Sequence, residues 1–590
     1  MMTVSKASQA SRVRAKVPLW LTWYCRLMGM FCIVSALSAA VLTWEDNLST
    51  NVYSVVWVVI GIPSLPLGVL LLMLSTALRR RKRPALWVFL VAFFIVGPIG
   101  YSVIDLVFSG SQAFLLNPPI PAMFWVACGI QVVLIALVAW ARPEFVAKGD
   151  PANPKLAFGV LAGLFALSAA LGTTLVAATD ANPHSSLTDH ITYMLRQTAT
   201  AADIYSFTTP VVVPHWVDLL CNVLGALLLL GTVYALFLPR RGRVLHAAVD
   251  DERLRLLLSK HGARDSLGYF ALRADKAVKF SPTCKAAVTY RPLGGVSLAS
   301  GDPLGDPEAW PGAIDAWLDE ARDHGWVPAV LGASEEGATV LTRHGLEAIE
   351  LGDEAVVEIA EFTLEGRPMR VVRQAYNRVQ RAGYKTLIRR HREIGSEEMR
   401  LLIDDAERWR DGSVERGFSM ALNRLGDPAD GDCVMIECFN GDGERKGLLS
   451  FVPWGPDGLS LDLMRRARDC DNGLVEFMVI ELIKAGPTLG VTRISLNFAM
   501  FRAVFERTNR IGAGPFLKLT RRVLSLFSHW WQIESLYRAN LKFRPIWEPR
   551  FLLYPVARDL PRIAIACGRA EGFIGAPRLR RRRELGPRRP

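Results

Sequence analysis

Asp462 and Arg465 stand three positions apart in the segment Ser460-Leu461-Asp462-Leu463-Met464-Arg465-Arg466, a carboxylate and a guanidinium within reach of one substrate. Such a pair suits a ligand with an amino group on one side and a phosphate or developing oxyanion on the other. On an ideal strand residues three apart face opposite sides. Both line one site only if a bulge or strand end lies near Met464; otherwise they are a surface ion pair. Glu476, on a helix opened by Asn472-Gly473, and Asn497, at the end of a strand, are suited to orienting a hydroxyl or moving a proton. A cap or a core hydrogen bond would use the same residues. Arg416 and Ser419, around Phe418, mark a substrate-lining loop or a simple turn. Lys542 and Arg550 bracket Trp547 as a phosphate-facing platform, although that indole would serve equally in a core. Arg370, Arg373, Arg378 and Arg381 make either a basic stripe for a nucleic-acid backbone or a solvated helix face.

Several chemistries have no residues to carry them. The nine cysteines form no CxxC pair and the nine histidines no HExxH, so no metal is expected. No GxxxxGK[ST] loop is present. Asn509-Arg510-Ile511-Gly512-Ala513-Gly514 only approximates a pyrophosphate loop, with Asn where Gln or Arg is required, which disfavours an acetyl-CoA role. No cofactor is expected.

The elements that must position these residues lie after about residue 240 and form two series. The first is a helix from Leu254, short strands at Leu267–Ala271, Ala286–Arg291 and Gly294–Ala299, and a turn over Gly301–Pro307. It continues with the amphipathic helix Trp310–His324, strand Val327–Leu331, helix Glu336–His344 and extended Glu347–Leu351 and Ala355–Ile359. A helix over Pro368–Ala382 leads to the second: helix Ser396–Trp409, strands Cys433–Phe439, Gly447–Pro453 and Leu459–Met464, helix Gly473–Leu489 and strand Arg493–Asn497. Each series is an α+β pattern of mixed pairing. The two side by side resemble tandem GNAT-like, or dual acyltransferase, modules over residues 244–365 and 366–570.

The chain before residue 240 has a different solvent. Six apolar runs, Leu27–Trp44, Val52–Leu78, Leu86–Phe108, Ile120–Ala141, Leu156–Thr179 and Trp216–Leu238, approach or exceed the ~20 residues that cross a ~30 Å hydrocarbon layer. Residues 1–243 therefore read as a polytopic α-helical membrane domain. Lys and Arg mark cytoplasmic loops: they precede the first span, fill Arg79–Arg83, recur at Arg142, Lys148 and Lys155, and follow the sixth span at Arg240, Arg241 and Arg243. The alternate loops hold Glu45, Asp46 and Arg196. Both termini and the α+β half are thus expected inside the cytoplasmic (inner) membrane. With a reducing cytoplasm around that half, disulfides are not expected. Asp105 and Asp218, near span ends, are either interfacial or part of a polar path for a headgroup. Mean hydropathy is +0.22, and a net charge of +13 concentrates in those loops and in the basic tail 571–590. Seven arginines within Arg578–Pro590 suit anionic headgroups or a polyanion such as RNA rather than a core.

Ordered words through the second half carry a specific resemblance. They are Leu298-Ala299-Ser300-Gly301-Asp302-Pro303, Leu351-Gly352-Asp353-Glu354-Ala355, Asp411 to Met420 (DGSVERGFSM), Ser460 to Arg466, Ile494-Ser495-Leu496-Asn497-Phe498-Ala499 and Phe543 to Arg550 (FRPIWEPR). Together they resemble the aminoacyl-phosphatidylglycerol synthases, the multiple peptide resistance factor family. The likeness is strongest to the synthase portion of members that also carry a lysyl-tRNA synthetase. It implies transfer of an aminoacyl group, lysine or else alanine, from aminoacyl-tRNA to phosphatidylglycerol, with resistance to cationic peptides as the consequence. On this reading Asp462, Arg465, Glu476 and Asn497 are catalytic, and Arg416, Ser419, Lys542, Trp547 and Arg550 bind substrate. Arg370, Arg373, Arg378 and Arg381 bind tRNA, and a homo-oligomer is possible. The sequence stops at Pro590, so the synthetase domain is expected to be absent and the charged tRNA to come from elsewhere. Six spans fall short of the fuller family's flippase region, so the resemblance leaves open whether this chain alone translocates the product. The rival reading is a membrane-anchored binding protein with a degenerate transferase fold.

Overall fold

The computed structural model describes residues 2–37, 65–96, 122–145, 147, 153–198, 210–237, 248–410, 417–500 and 539–574. The chain divides into two compact units, the first Met1–Arg240 with Arg322–Gly325 and the second Arg241–Ala321 with Trp326–Pro590.

The first unit is helical: α1 (Met2–Leu37), α2 (Leu65–Arg79), α3 (Arg83–Val96), α4 (Ala122–Trp140), α5 (Asn153–Thr179), α6 (Leu187–Thr198) and α7 (His215–Leu236). Among the described residues two stretches, Lys16–Val34 and Lys155–Thr179, are long and apolar enough to span a bilayer alone. The remaining expected spans continue into residues outside the described set, as do Asp105 and the side chain of Asp218. The first span begins earlier than the run from Leu27 suggested. Arg26 interrupts that run, but its guanidinium lies 5.5 Å over the Trp23 ring, so the helix carries it without ending. Lipid-type packing is visible between α1 and α2, where a Cβ on Gly29 would fall 2.9 Å from the Gly68 carbonyl oxygen. Leu27, Met30, Val34 and Phe158 point outward, as they would against acyl chains. Arg14 and Arg81 both pair with Glu144, at 3.0 and 3.2 Å, and Lys82 donates to the Phe237 carbonyl at 2.9 Å. The basic segments assigned to one side of the membrane therefore meet one another.

Among its described residues the second unit carries twelve strands in one sheet: β1 (Ala277–Phe280), β2 (Ala286–Leu293), β3 (Val296–Ser300), β4 (Leu304–Gly305), β5 (Val327–Ala333), β6 (Glu347–Glu358), β7 (Lys385–Arg390), β8 (Val434–Phe439), β9 (Arg445–Trp454), β10 (Gly458–Arg466), β11 (Arg493–Met500) and β12 (Ile546–Tyr554). The order is β1-β2-β3-β5-β12-β6-β11-β10-β9-β8-β7, with β4 on β2. Its helices are α8 (Ala248–His261), α9 (Trp310–His324), α10 (Glu335–Arg343), α11 (Arg370–Arg381), α12 (Ser396–Arg410), α13 (Leu474–Leu489) and α14 (Leu560–Ala570).

The two series repeat one plan. An antiparallel meander (β1-β2-β3, then β8-β9-β10) is followed by a helix (α9, α13) and a parallel partner (β5, β11), the crossover that parallel pairing requires. Their last strands are exchanged. β12 from the end of the second series pairs with β5, and β6 from the first pairs with β11. The boundary at 365/366 follows chain order, whereas pairing crosses it.

Three local expectations change. Leu267–Ala271 is not a strand; Gly268–Leu272 forms a 3-10 turn, because an apolar run without alternation does not distinguish the two. The two extended pieces at 347–351 and 355–359 are one strand, β6, kept continuous because buried Glu354 finds partners. β1, β7, β12 and α14 had no counterpart in the sequence reading.

Candidate functional site

Strand β10 is the centre of the site. Against β9 its register slips between Leu461 and Leu463, making Asp462 the extra residue of a bulge. The bulge reverses side-chain parity. Beyond it Asp462, Leu463 and Arg465 line a cavity of about 220 Å³, whereas Leu461, Met464 and Arg466 line another of about 490 Å³. The bulge required to bring Asp462 and Arg465 together is thus present, two residues before Met464. It also separates the expected catalytic set: Glu476 lies on the larger cavity and Asp462 on the smaller.

The smaller cavity is walled by α12 (Ala406, Glu407, Arg410) and by Ala421, Asn423 and Arg424 from the segment after Gly417. Asp462 Oδ1 accepts the Leu422 N–H at 2.7 Å. Arg424 is drawn away by Asp430, whose oxygens it meets at 2.7 and 2.8 Å.

The larger cavity lies where β10 and β11, parallel through Ser460 and Ser495, lose their register. Asn497 adopts φ +69° there and bridges the strands, its Nδ2 donating to the Leu461 carbonyl at 2.7 Å. Its Oδ1 is buried with no partner among the described residues. Leu449, Leu461, Val479, Leu496 and Phe543 give apolar walls. Val371, Gln374, Ala375 and Arg378, one face of α11, supply another side. Lys542 Nζ lies 2.5 Å from Glu476 Oε1, and Arg466 adds a further cation. Gln374, Asn472 and Asn540 also border this space; sequence reasoning missed them, because nothing in their local pattern marks them.

Other assignments change. Arg550 does not face a phosphate: it is 2% exposed and its guanidinium is enclosed. Nη1 donates to Asp265 at 2.8 Å, Nη2 to Ser266 Oγ at 2.8 Å, and Nε to Glu354 at 2.9 Å. Glu354 also takes the Ser266 and Ser495 hydroxyls. Burial would pull protons off this guanidinium, but the Glu354 and Asp265 charges outweigh it and hold its pKa raised. Beside it, burial and then the Asp265 charge push the Asp302 carboxyl up to about 7. Ser419 is likewise no substrate ligand; it is fully buried and donates to Glu571 at 2.6 Å. Trp547 packs against the core of the second series. Arg416 lies outside the described residues.

On α11 the residues Val372, Tyr376 and Val379 are buried and the arginines are not equivalent. Arg373 donates to the Leu364 and Gly366 carbonyls, and Arg378 gives one of its nitrogens to the Asn472 carbonyl while bordering the larger cavity. Arg381 donates to the Asn377 carbonyl at 3.1 Å and is exposed, as is Arg370. Among the described residues no cluster of His, Cys, Asp or Glu has metal-ligand character.

Comparison with known proteins agrees with this division. The family model described as phosphatidylglycerol lysyltransferase, C-terminal, matches residues 255–554, and one described as the transmembrane region of lysyl-tRNA synthetase matches residues 13–237. The lysylphosphatidylglycerol biosynthesis bifunctional protein of Rhodococcus jostii is 46% identical over 524 residues, 88% of this chain and 45% of its own length. Its namesake in Nocardia farcinica is 45% identical over 516 residues, 86% of this chain and 44% of that one. The chain spans less than half the length of these curated relatives. Among solved structures, L-PGS from Bacillus licheniformis is 23% identical with a TM-score of 0.48, covering 54% of this chain and 96% of that one.

Proposed function

The chain belongs to the phosphatidylglycerol lysyltransferase family, and from that premise we propose that it transfers a lysyl group from lysyl-tRNA to phosphatidylglycerol at the cytoplasmic face of the membrane. The observation that carries this reading is the composition of the 490 Å³ cavity, apolar walls bordered by Arg378, Arg466 and Lys542. That combination suits an anionic amphiphile: the cations meet a phosphodiester and the walls meet the start of its acyl chains. The amino end of the donor occupies the smaller cavity, where Asp462 offers a carboxylate to an ammonium group, and its ester carbon meets the lipid hydroxyl past the end of β10, which both cavities border and where Arg465 steadies the oxyanion.

The chemistry is a transesterification. The glycerol hydroxyl oxygen bonds to the acyl carbon, the bond to the tRNA ribose oxygen breaks, and the hydroxyl proton ends on that ribose oxygen. The donor ester is already activated, so the work is positioning and charge stabilisation. Asn497, whose Oδ1 is an acceptor without a partner among the described residues where β10 and β11 part, is suited to hold the attacking hydroxyl. Arg370 and Arg381 on α11 supply exposed charge for the tRNA backbone. The helical unit keeps the site at its lipid, with the basic loops inside. The product carries less negative charge than its precursor, which weakens attraction of cationic peptides to the surface.

The test is lipid extraction from cells expressing the chain, with mass analysis for lysyl and alanyl adducts of phosphatidylglycerol. A lysyl adduct supports the reading. Absence of any aminoacylated lipid, with the protein present in the membrane and both charged tRNAs available, would sink it.

A further inference from the structure

We propose that Glu571, more than a hundred positions from Asp462 in the chain, is a positioning residue for the transfer site. The proposal rests on the reading of Asp462 given above. Glu571 follows α14, is 3% exposed, and its carboxylate is filled by one short segment. Oε2 accepts the Phe418 N–H at 2.7 Å; Oε1 accepts the Ser419 N–H at 3.1 Å and the Ser419 hydroxyl at 2.6 Å. The Glu571 backbone carbonyl takes the Gly417 N–H at 3.1 Å. Arg273, itself 6% exposed, binds the carbonyls of the same segment, Gly417 at 2.7 Å and Ala421 at 2.8 Å. Lys276 Nζ sits 4.7 Å over the Phe418 ring.

What this anchoring holds is a wall of the smaller cavity. Ala421 and Asn423 line it, and Leu422 between them gives its N–H to Asp462. A carboxylate can satisfy three donors at once; an amide of the same shape has one acceptor oxygen and turns its NH2 against a remaining donor. Loss of the charge therefore loosens residues 417–422, and Asp462 loses a donor that helps hold its direction. Displacement of that carboxylate lowers turnover without removing any group that touches lipid or tRNA.

The experiment uses the full chain in phosphatidylglycerol vesicles with lysyl-tRNA, measuring kcat and KM for the native protein, Glu571→Gln and Ser419→Ala, with amide hydrogen exchange over residues 417–422. Glu571→Gln is expected to lower kcat about tenfold, leave KM for either substrate within about twofold, and speed exchange at Phe418, Ser419 and Leu422 while β8 and β9 exchange as in the native protein. Ser419→Ala is expected to change kcat less than about threefold, since both backbone donors remain. Native kcat in Glu571→Gln overturns the positioning role, as does a fall in kcat accompanied by faster exchange throughout β8 and β9. Unchanged exchange over 417–422 overturns the anchoring itself. A native protein that forms no aminoacylated lipid instead removes the reading of the site, and the positioning role with it.

Discussion

Asp462 and Arg465 line one cavity although they stand three apart on a strand, because Asp462 is the bulged residue of β10. The same slip turns Met464 and Arg466 toward the larger cavity on the opposite face. One inserted residue thus gives β10 a polar pocket on one side and an amphiphilic one on the other. Asp462→Asn keeps an acceptor for the Leu422 N–H, so the wall and the fold are expected to survive while kcat falls about 10²-fold. Initial rates beside a thermal melt check this; native turnover in the variant would take Asp462 out of the chemistry.

The Lys542–Glu476 pair is short, but the Lys542 side chain is 40% exposed. Pairs of that kind contribute ~0–1 kcal/mol to stability. Lys542→Met is therefore expected to melt within a few degrees of the native protein while raising KM for phosphatidylglycerol about tenfold, the loss of one charge-assisted contact. Rates measured against the mole fraction of the lipid decide it, and an unchanged KM would show that Lys542 serves only Glu476.

Arg550 behaves oppositely. Removing one member of a buried, hydrogen-bonded charge network costs ~3–5 kcal/mol, because the partners are left unpaired. Arg550→Met strands Glu354 and Asp265 in the sheet and is expected to lower the melting temperature of the second unit by about 4–7 °C or to prevent its recovery. A stable, inactive Arg550→Met protein would return this residue to the substrate.

Stability carries a pH signature from Asp302, whose carboxyl is pushed up to about 7 in the folded protein against ~3.9 in an unfolded chain. Folded protein then holds a proton that unfolded protein has released, so this group's contribution is fully present below about pH 4 and is lost as pH rises through 7. The melting temperature of the native protein minus that of Asp302→Asn should fall between pH 4 and 7.5. A flat difference over that range would mean the carboxyl titrates normally.

Much of this was legible in sequence, and the failures have physical reasons. Helix α9 follows its apolar spacing, with Ile314, Trp317 and Ala321 buried as expected, and the need for a bulge between Asp462 and Arg465 follows from period-two geometry alone. Strand β12 was not visible: its Pro549 and alternating charges read as a surface, since the partner that buries Arg550, Glu354, lies 196 positions earlier. The exchange of β6 and β12 is hidden for the same reason, because periodicity reports which face is buried and not which strand lies beside it. Glu571 carries no local signal at all. A carboxylate at a helix end reads as solvent-facing until the segment it anchors is folded against it.

The most direct test is transfer of labelled lysine from lysyl-tRNA to phosphatidylglycerol vesicles by the full chain, with Asp462→Ala and ribonuclease-treated donor as parallel samples. The account predicts label in the lipid phase with the native protein, none after ribonuclease treatment, and none with Asp462→Ala even though that variant inserts normally into the vesicles. Label that stays on the tRNA with the native protein, whether lysyl or alanyl donor is offered, would contradict it.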